Sequence, residues 1–200
     1  MMQKKLILGS SSPYRKELLK RLKIPFECQS PDIDETPLPK ESPQDLVKRL
    51  TITKANAVHA ERQQCNQADG IIITSDQVAV LGDDILGKPN TEDNAIRQLS
   101  RFSGQKVSFL TGLCTFNQEN QIHQYSLSSY HVYFRHLTQK EILNYITIEQ
   151  PLDCAGSFKC EGLGVCLFEK MEGEDPNSLI GLPLISLCKQ LKSLGINPIG

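Results

Sequence analysis

The stretch Gly70–Pro89, GIIITSDQVAVLGDDILGKP, contains the clearest strand signal in the chain. An apolar run from Ile71 leads to a Gly-Asp-Asp turn, and a short second strand is stopped by Pro89, so the pattern predicts a β-hairpin. Asp76 follows the first apolar residues and is predicted to lie at the carboxyl end of a buried strand. Ligand sites in α/β proteins lie at such ends, although an aspartate there can also simply cap a turn.

A strand followed by a helix is predicted closer to the N-terminus, in LILGSSSPYRKELLKRL (6–22). The first three residues form a buried strand, Gly9 and three serines form a turn, and Ser12 and Pro13 begin a helix. The first turn of that helix carries Arg15, although the positive end of a helix favours carboxylates. The placement is explained if an anion lies between Arg15 and the serine loop.

Helices and strands interleave along the remainder of the chain. The residues 24–43 are rich in proline and carboxylates and are predicted to be extended and irregular. Three further helices are predicted, one from Ser42-Pro43 to roughly Glu61, one within 90–104 and one after the capping box at Thr138; a last helix runs from Pro183 to Gly195. Two long strands within 106–135 flank the turn NQENQ. The fold class is therefore α/β with a mixed sheet, in one domain spanning 1–200 without a boundary that can be located.

Bulk composition narrows the class of protein. Of 200 residues, 39% are hydrophobic and 22% charged, and the net charge is −1, which argues against a general nucleic-acid binder or a protein of anionic membrane surfaces. The N-terminus has only a three-residue apolar run, too short for a signal peptide or a membrane span, so we expect a cytoplasmic protein. Seven cysteines without a C-x-x-C pair indicate free thiols rather than a zinc site.

Several charged residues stand where they are costly or ambiguous. Lys54 interrupts the apolar side of the long helix, so its ammonium must either extend to water or meet a negative partner. Asp32, Asp34 and Glu35 crowd into one acidic loop, which is either solvated or a site for Mg²⁺ or Mn²⁺. The position of Lys88 depends on the hairpin register: opposite Val78 it shares a face with Asp76, and opposite Ala79 it does not.

Common catalytic motifs are absent from the sequence. It contains no P-loop, no dinucleotide-binding glycine motif, no histidine pair with metal-ligand spacing and no nucleophile elbow. The residues that remain are Arg15, Lys54 and Lys88 with two carboxylates, Glu35 and Asp76, and the serine loop. Cations for phosphates together with carboxylates for a metal are the usual components of phosphoanhydride chemistry.

These residues lie within motifs that resemble the Maf-like nucleotide pyrophosphatases. The motifs SSSPYRKELL, DETP, KA, SDQV, GKP, AGSF…EG and GLPL occur in the order and spacing of that family, from about Lys5 to the end of the chain. The resemblance implies an elongated mixed-sheet fold of the Maf/inosine-triphosphatase type with a deep cleft between two lobes. It also implies hydrolysis of a nucleoside triphosphate to the monophosphate and pyrophosphate with a divalent cation, Mg²⁺ or Mn²⁺.

The resemblance assigns roles to matching positions. Asp76 becomes the catalytic carboxylate, as general base or as metal ligand, and Glu35 joins it in the metal or water network. The triphosphate is held by Ser10, Arg15, Lys54 and Lys88. The family resemblance implies a nucleoside triphosphate as partner and leaves a homodimer open.

Three positions point to the 7-methyl-GTP branch of the family rather than the dTTP/UTP branch, namely Tyr14, Gln77 and Glu161. A methylated N7 makes the purine cationic, and a cationic ring stacks well on an aromatic face. A carboxylate accepts two hydrogen bonds from the N1–H and exocyclic amine of guanine. Tyr14 can instead cover the core face of its own helix. A pyrimidine nucleotide as substrate, or a non-catalytic nucleotide-binding regulator of cell division, are the alternatives.

Overall fold

A computed structural model describes residues 4–200; residues 1–3 of the predicted single domain lie outside it. Over the described residues the chain forms one sheet of seven strands, six α-helices and a short 3-10 helix. The strands are β1 (Leu6–Leu8), β2 (Phe26–Cys28), β3 (Ile71–Leu81), β4 (Asp84–Leu86), β5 (Lys106–Asn117), β6 (Ile122–Phe134) and β7 (Phe168–Gly173). The helices are α1 (Pro13–Lys20), α2 (Pro43–Gln64), α3 (Glu92–Phe102), α4 (Gln139–Glu149), α5 (Pro176–Ile180) and α6 (Leu184–Ser193), with the 3-10 helix at Leu163–Leu167.

The sheet is mixed, as the sequence predicts. Its order is β2-β1-β3-β5-β6-β7, with β4 paired to the far end of β3. The strands β2 and β3 run parallel to β1, whereas β5, β6 and β7 follow as antiparallel neighbours. Over Ile71–Ile73, β3 therefore has a parallel neighbour on one edge and an antiparallel neighbour on the other, whereas β5 pairs with it as far as Val80. The α/β fold class is confirmed.

The predicted helix starts are confirmed by their capping hydrogen bonds. Ser12 and Ser42 cap α1 and α2 with Pro at the first helical position, and Thr91 caps α3. The capping box of α4 is formed in both directions between Thr138 and Glu141. Side-chain oxygens at these positions accept backbone N–H groups that the first helical turn leaves unpaired. The long α2 continues one turn beyond the predicted end.

A strand and an α-helix are missing from the sequence-based prediction, as is the 3-10 helix at Leu163–Leu167. The segment predicted to be irregular contains β2, whose residues Phe26–Cys28 pair in parallel with β1. The missing α-helix is α5, which begins after Asp175, a side chain that accepts a hydrogen bond from the N–H of Asn177. β2 and α5 are both short and lie next to prolines. Because proline is also typical of loops, the sequence shows no clear sign of a strand or a helix there.

The hairpin differs from both registers considered above. Its turn consists of Gly82 and Asp83, so that Leu81 pairs with Asp84 and Ala79 with Leu86. The ladder ends there, and Lys88 follows it without a partner strand position. The prediction that Asp76 ends a strand is wrong as well. The strand β3 runs on to Leu81, because β5 continues to supply backbone partners after β1 has ended opposite Ile73.

Alternation along β3 decides which helix each side chain meets. Ile72, Thr74 and Val78 face α2; the hydroxyl of Thr74 donates to the Thr51 carbonyl at 2.7 Å. Ile71 and Ile73 lie on the opposite face, in a hydrophobic cluster with residues of α1 and α6. Because successive strand residues point to opposite faces, Asp76 must face α2, and Ser75 and Gln77 the other side. A second large cluster packs β5, β6, α3 and α4 together.

No helix among residues 4–200 has the length and apolar character needed to cross a membrane.

Close packing of α2 on the sheet depends on Gly112 of β5, which pairs with Asp76. A Cβ at this position would lie 2.5 Å from Thr51 Oγ1 and 2.8 Å from Val47 Cγ1, both on α2. We therefore expect Gly112→Ala to lower the free energy of unfolding by about 1–3 kcal/mol, because overpacking forces the helix off the sheet. Urea denaturation measures the change. Gly87→Ala, where the added methyl meets nothing within 4 Å, is the control; equal stability of the two variants would contradict the packing argument.

Candidate active site

A buried ammonium group stands between two carboxylates. The Nζ atom of Lys54, on α2, lies 2.6 Å from Asp76 Oδ1 and 2.7 Å from Glu35 Oε1. The side chains of Lys54 and Asp76 are each only 8% exposed, whereas that of Glu35 is 59% exposed. Of the two interpretations of Lys54, the one with a negative partner is therefore confirmed. An ammonium has three hydrogens, so one remains free for a further acceptor.

The local sequence explains why these groups meet. Lys54 lies on the side of α2 that packs against β3, next to the Thr51 carbonyl that Thr74 binds. Asp76 follows Thr74 by two residues and so points to the same helix. Gly112, opposite Asp76, adds no side chain that would keep α2 away. The ion pair therefore forms next to a point where α2 packs directly against the backbone of the sheet.

Glu35 is the only member of the acidic loop that reaches this pair. Burial alone would raise the pKa of Glu35, but the hydrogen bond and charge of Lys54, with smaller contributions from Lys88 and Arg15, outweigh it and hold that pKa below its usual value. Asp34 instead accepts a hydrogen bond from the N–H of Thr36 at 2.9 Å, which is a local turn contact. Of the three carboxylates in the predicted loop site, Glu35 is therefore the one that contacts Lys54.

Arg15 is held by backbone and hydroxyl oxygens rather than by a carboxylate. Its Nε donates to the Gly181 carbonyl at 2.8 Å, and its Nη1 lies 3.5 Å from Ser10 Oγ. The Ser10 hydroxyl also accepts the N–H of Ser12. Burial lowers the pKa of Arg15, and the charges of Asp76 and Glu35 act in the opposite direction. A guanidinium retains its charge in such a setting, and its other N–H groups can bind an anion.

All the predicted site residues line one cleft of about 580 Å³. These residues are Ser10, Tyr14, Arg15, Glu35, Lys54, Asp76, Gln77, Lys88 and Glu161. They come from α1 and the loop before it, the acidic loop, α2, β3, the segment after β4 and the loop after α4. Segments far apart in sequence therefore form one polar cavity. Lys88 is exposed there, close enough to Glu35 to lower the pKa of that carboxyl.

One wall of the cleft carries the aromatic ring of Tyr14, whose partner the sequence analysis did not identify. The Tyr14 hydroxyl lies 3.3 Å from Asp153 Oδ1 and 3.7 Å from Cys154 Sγ. Burial, followed by these two neighbours, raises the pKa of Tyr14, so the hydroxyl stays protonated and can donate to Asp153. Tyr14 lines the cavity and is not part of the hydrophobic cluster that Leu18 and Leu19 of α1 join. Glu161 is an exposed carboxylate on the same cavity.

Gln77 is more constrained than a residue that only faces a ligand. Its Nε2 lies 2.7 Å from the Ser178 carbonyl, 2.9 Å from Thr111 Oγ1 and 3.2 Å from the Leu179 carbonyl. An amide nitrogen has two hydrogens, so these acceptors occupy both of them. Only the side-chain oxygen of Gln77 remains available to a ligand.

Sequence reasoning missed the residues that hold this arrangement, namely Ser75, Thr111, Asp153 and the carbonyls of α5. The α5 helix does have a signal in the sequence, since Asp175-Pro176 combines an N-cap residue with proline at the first helical position. Ser75, Thr111 and Asp153 have none, because their roles depend on contacts between distant segments.

The cleft offers cations for an anion and carboxylates for a proton or a metal. Arg15, Lys54 and Lys88 supply positive charge, and Asp76 and Glu35 are oxygen donors of the kind Mg²⁺ and Mn²⁺ prefer. No group of three or more His, Cys, Asp or Glu side chains placed to hold a metal occurs within residues 4–200. Asp76 and Glu35, which both contact Lys54, are nevertheless sufficient for Mg²⁺, because that ion is commonly bound by one or two carboxylates plus substrate oxygens.

We expect Gln77→Glu to destabilise the fold, because a carboxylate has no hydrogens for the Ser178 and Leu179 carbonyls. Leaving buried acceptors opposite a charge costs roughly 2 kcal/mol or more. The loss should shrink as the pH falls, since protonation of the new carboxyl, whose pKa the carbonyls raise, restores a donor. Urea denaturation at several pH values, beside the control Gln105→Glu at an exposed position, measures the effect. Equal midpoints for the two variants would show that the amide contacts contribute little.

Comparison with known proteins places the chain in a family. The model of the family described as "Maf-like protein" matches residues 5–194. A protein of Colwellia psychrerythraea named "7-methyl-GTP pyrophosphatase" is 52% identical over 194 residues, covering 97% of this chain and 94% of that one. A protein of Aliivibrio fischeri with the same name is 52% identical over 196 residues, covering 98% and 99%.

Among solved structures, the Staphylococcus aureus Ham1 protein aligns with 66% of this chain and 72% of its own, at 10% identity and a TM-score of 0.44. That likeness is too small to support an argument about the fold. The family model and the two relatives, each aligned over nearly the whole chain, suffice: the protein belongs to the Maf-like family.

Proposed function

We propose that this protein hydrolyses 7-methyl-GTP to 7-methyl-GMP and pyrophosphate with the help of a divalent cation. The observation that carries the proposal is the buried ion pair of Lys54 and Asp76, placed in a cleft that two further cations line. The names of the two relatives support the choice of substrate.

The phosphate tail would bind at the cationic end of the cleft. Lys54 has one ammonium hydrogen left after its two carboxylate contacts, and Arg15 has free N–H groups beyond those on Gly181 and Ser10. Lys88 adds an exposed ammonium that can contact the phosphates at the outer end of the tail. Hydrogen bonds from charged donors to phosphate oxygens are stronger than neutral ones. In a partly enclosed cavity they would also stabilise the charge that develops on pyrophosphate as it leaves.

Asp76 is positioned to act on the water that attacks. Its Oδ1 is held by Lys54, which orients the carboxylate toward the cavity. As a general base, Asp76 would accept a proton from a water molecule while the water oxygen bonds to the α-phosphorus. The bond from the α-phosphorus to the bridging oxygen breaks, and pyrophosphate leaves with the bonding electrons. Arg15, Lys54 and Lys88 neutralise that leaving group.

A divalent cation would be held by Asp76 and Glu35 together with phosphate oxygens, with Mg²⁺ or Mn²⁺ as the candidates. When bound, such an ion supplies positive charge to the phosphates and makes a coordinated water more acidic. Glu35 is well suited to share this task, because its pKa is held below the usual value and it stays ionised near neutral pH.

The base would lie at the Tyr14 end of the cleft. Tyr14 is oriented by its hydroxyl contact with Asp153, so its ring can stack on a cationic 7-methylguanine. Glu161 would accept hydrogen bonds from the N1–H and the exocyclic amine of guanine. Gln77 contributes to base recognition only through its side-chain oxygen, because its amide hydrogens are used within the protein.

A panel of nucleotides tests the proposed function directly. We expect pyrophosphate release with Mg²⁺ or Mn²⁺ to be fastest from 7-methyl-GTP among 7-methyl-GTP, GTP, dTTP and UTP. Asp76→Asn should reduce the rate about a thousandfold, since it can neither accept the proton nor bind a cation well. Asp83→Asn, in the β3–β4 turn, is the matched control and should keep the wild-type rate.

Each outcome of this assay discriminates between alternatives. A preference for dTTP or UTP would place the protein with the pyrimidine-selective members, and no release from any nucleotide would indicate a binding protein. Near-normal turnover by Asp76→Asn, with circular dichroism matching wild type, would refute the assignment of Asp76.

Glu161→Gln tests how the base is recognised. The neutral amide accepts hydrogen bonds less strongly than a carboxylate, so kcat/KM for 7-methyl-GTP should fall roughly five- to tenfold more than kcat/KM for UTP. Steady-state kinetics on both nucleotides gives the two ratios, with Glu169→Gln on the exposed β7 as control. Equal losses on both substrates would show that Glu161 does not contact the base.

A further inference from the structure

Three backbone carbonyls near the C-terminal end of α5 accept side-chain hydrogen bonds from three other elements. We call the carbonyl groups of Ser178, Leu179 and Gly181 the α5 carbonyl cluster. Gln77 and Ser75 reach it from β3, Thr111 from β5 and Arg15 from α1. The cluster therefore connects the strand of Asp76 with the cation predicted to bind phosphate, although α5 contains neither residue.

The Gly181 carbonyl is the member that determines the position of Arg15. It accepts Arg15 Nε at 2.8 Å and Ser75 Oγ at 2.8 Å. Ser75 is fully buried, and its single hydroxyl hydrogen is shared between the Gly181 carbonyl and the Gly112 carbonyl of β5, which lies 2.7 Å from Ser75 Oγ. The Gly181 carbonyl therefore links the Arg15 guanidinium to Ser75, the residue that precedes Asp76 in the chain.

The backbone around Gly181 is itself held in place. Gly181 has a φ of +119°, a conformation that a residue with a Cβ rarely adopts. At the other end of α5, the carboxylate of Asp175, which is 3% exposed, accepts the N–H of Ile185 at 2.7 Å and that of Asn177 at 2.9 Å. Because both ends of α5 are fixed, its carbonyls present a rigid set of acceptors.

We infer that Ser75 and Gly181 are positioning residues that aim the Arg15 guanidinium at the phosphate tail. The inference rests on the proposed function, in which Arg15 binds that tail. Neither residue lines the cleft. Ser75 acts through the carbonyl of Gly181, and Gly181 acts through its contact with Arg15 Nε. The remaining N–H groups of Arg15 are thereby directed into the cleft together with Ser10.

Ser75→Ala tests this role beside a matched control, a second hydroxyl that donates to the same α5 carbonyl cluster. Thr111→Val also removes one fully buried hydroxyl that donates to the cluster, but its acceptor is the Ser178 carbonyl at 2.9 Å rather than Gly181. Both variants should lose a similar amount of stability in urea denaturation. Only Ser75→Ala should raise the dissociation constant of pyrophosphate, measured by calorimetry, by roughly five- to tenfold.

Steady-state kinetics gives a second measurement, KM for the nucleotide. A general loss of stability would not raise KM selectively in one variant. Ser75→Ala should raise KM for the nucleotide in parallel with the pyrophosphate constant, whereas Thr111→Val should leave the pyrophosphate constant within about twofold of wild type. If the two variants change pyrophosphate binding equally, or if Ser75→Ala changes nothing, the inference is wrong while the proposed function stands. A wild-type protein that neither binds pyrophosphate nor releases it from any nucleotide would overturn both.

Discussion

The arrangement of the cleft depends on a single buried ammonium group. Lys54 is almost fully removed from water, and an unpaired charge there would be too costly, so the fold must bring carboxylates to it. Asp76 meets this need from β3 and Glu35 from the acidic loop. Removing one partner of a buried ion pair typically costs about 3–5 kcal/mol, since the other charge is left uncompensated. The same contact that satisfies Lys54 therefore fixes the carboxylate that we propose as the general base.

The alternation of β3 divides the site between two faces of the sheet. Asp76 points to α2 and meets Lys54, while its neighbours Ser75 and Gln77 point to α5 and meet its carbonyls. One strand thus carries both the proposed catalytic carboxylate and a hydroxyl that binds the same carbonyl as Arg15. A shift of β3 by one residue would exchange these roles, because every side chain would turn to the opposite face. The ten residue pairs between β3 and β5 hold the register against such a shift.

The main elements and most helix caps of this fold could be predicted from the sequence, because their signals are local. The N-cap and proline of α1, the capping box of α4 and the β5–β6 hairpin each lie within a few adjacent residues. The short β2 and α5 were missed, as proline-rich sequence is typical of loops, and the position of Asp76 was misjudged because β5 extends β3 beyond its apolar run. A turn can also shift by one residue without altering the pattern, which is why the hairpin register was not predictable.

The candidate site was predicted as a set of residues but not as a set of contacts. The family motifs placed nine residues together, and all nine line one cleft. Motifs do not say which atoms touch, so the pairing of Lys54 with two carboxylates and the constraint on Gln77 appeared only in three dimensions. Ser75 and Asp153 were not predicted, since a serine or an aspartate gains such a role only from a partner more than a hundred residues away.

A crystal structure with an α,β-imido analogue of 7-methyl-GTP, which cannot release pyrophosphate, tests the central claim most directly. The account predicts phosphate oxygens in contact with Lys54 and Arg15, the α-phosphorus facing Asp76, and the Lys54–Asp76 contact retained. A phosphate tail bound away from Lys54, with the ammonium still enclosed by Asp76 and Glu35 alone, would contradict it.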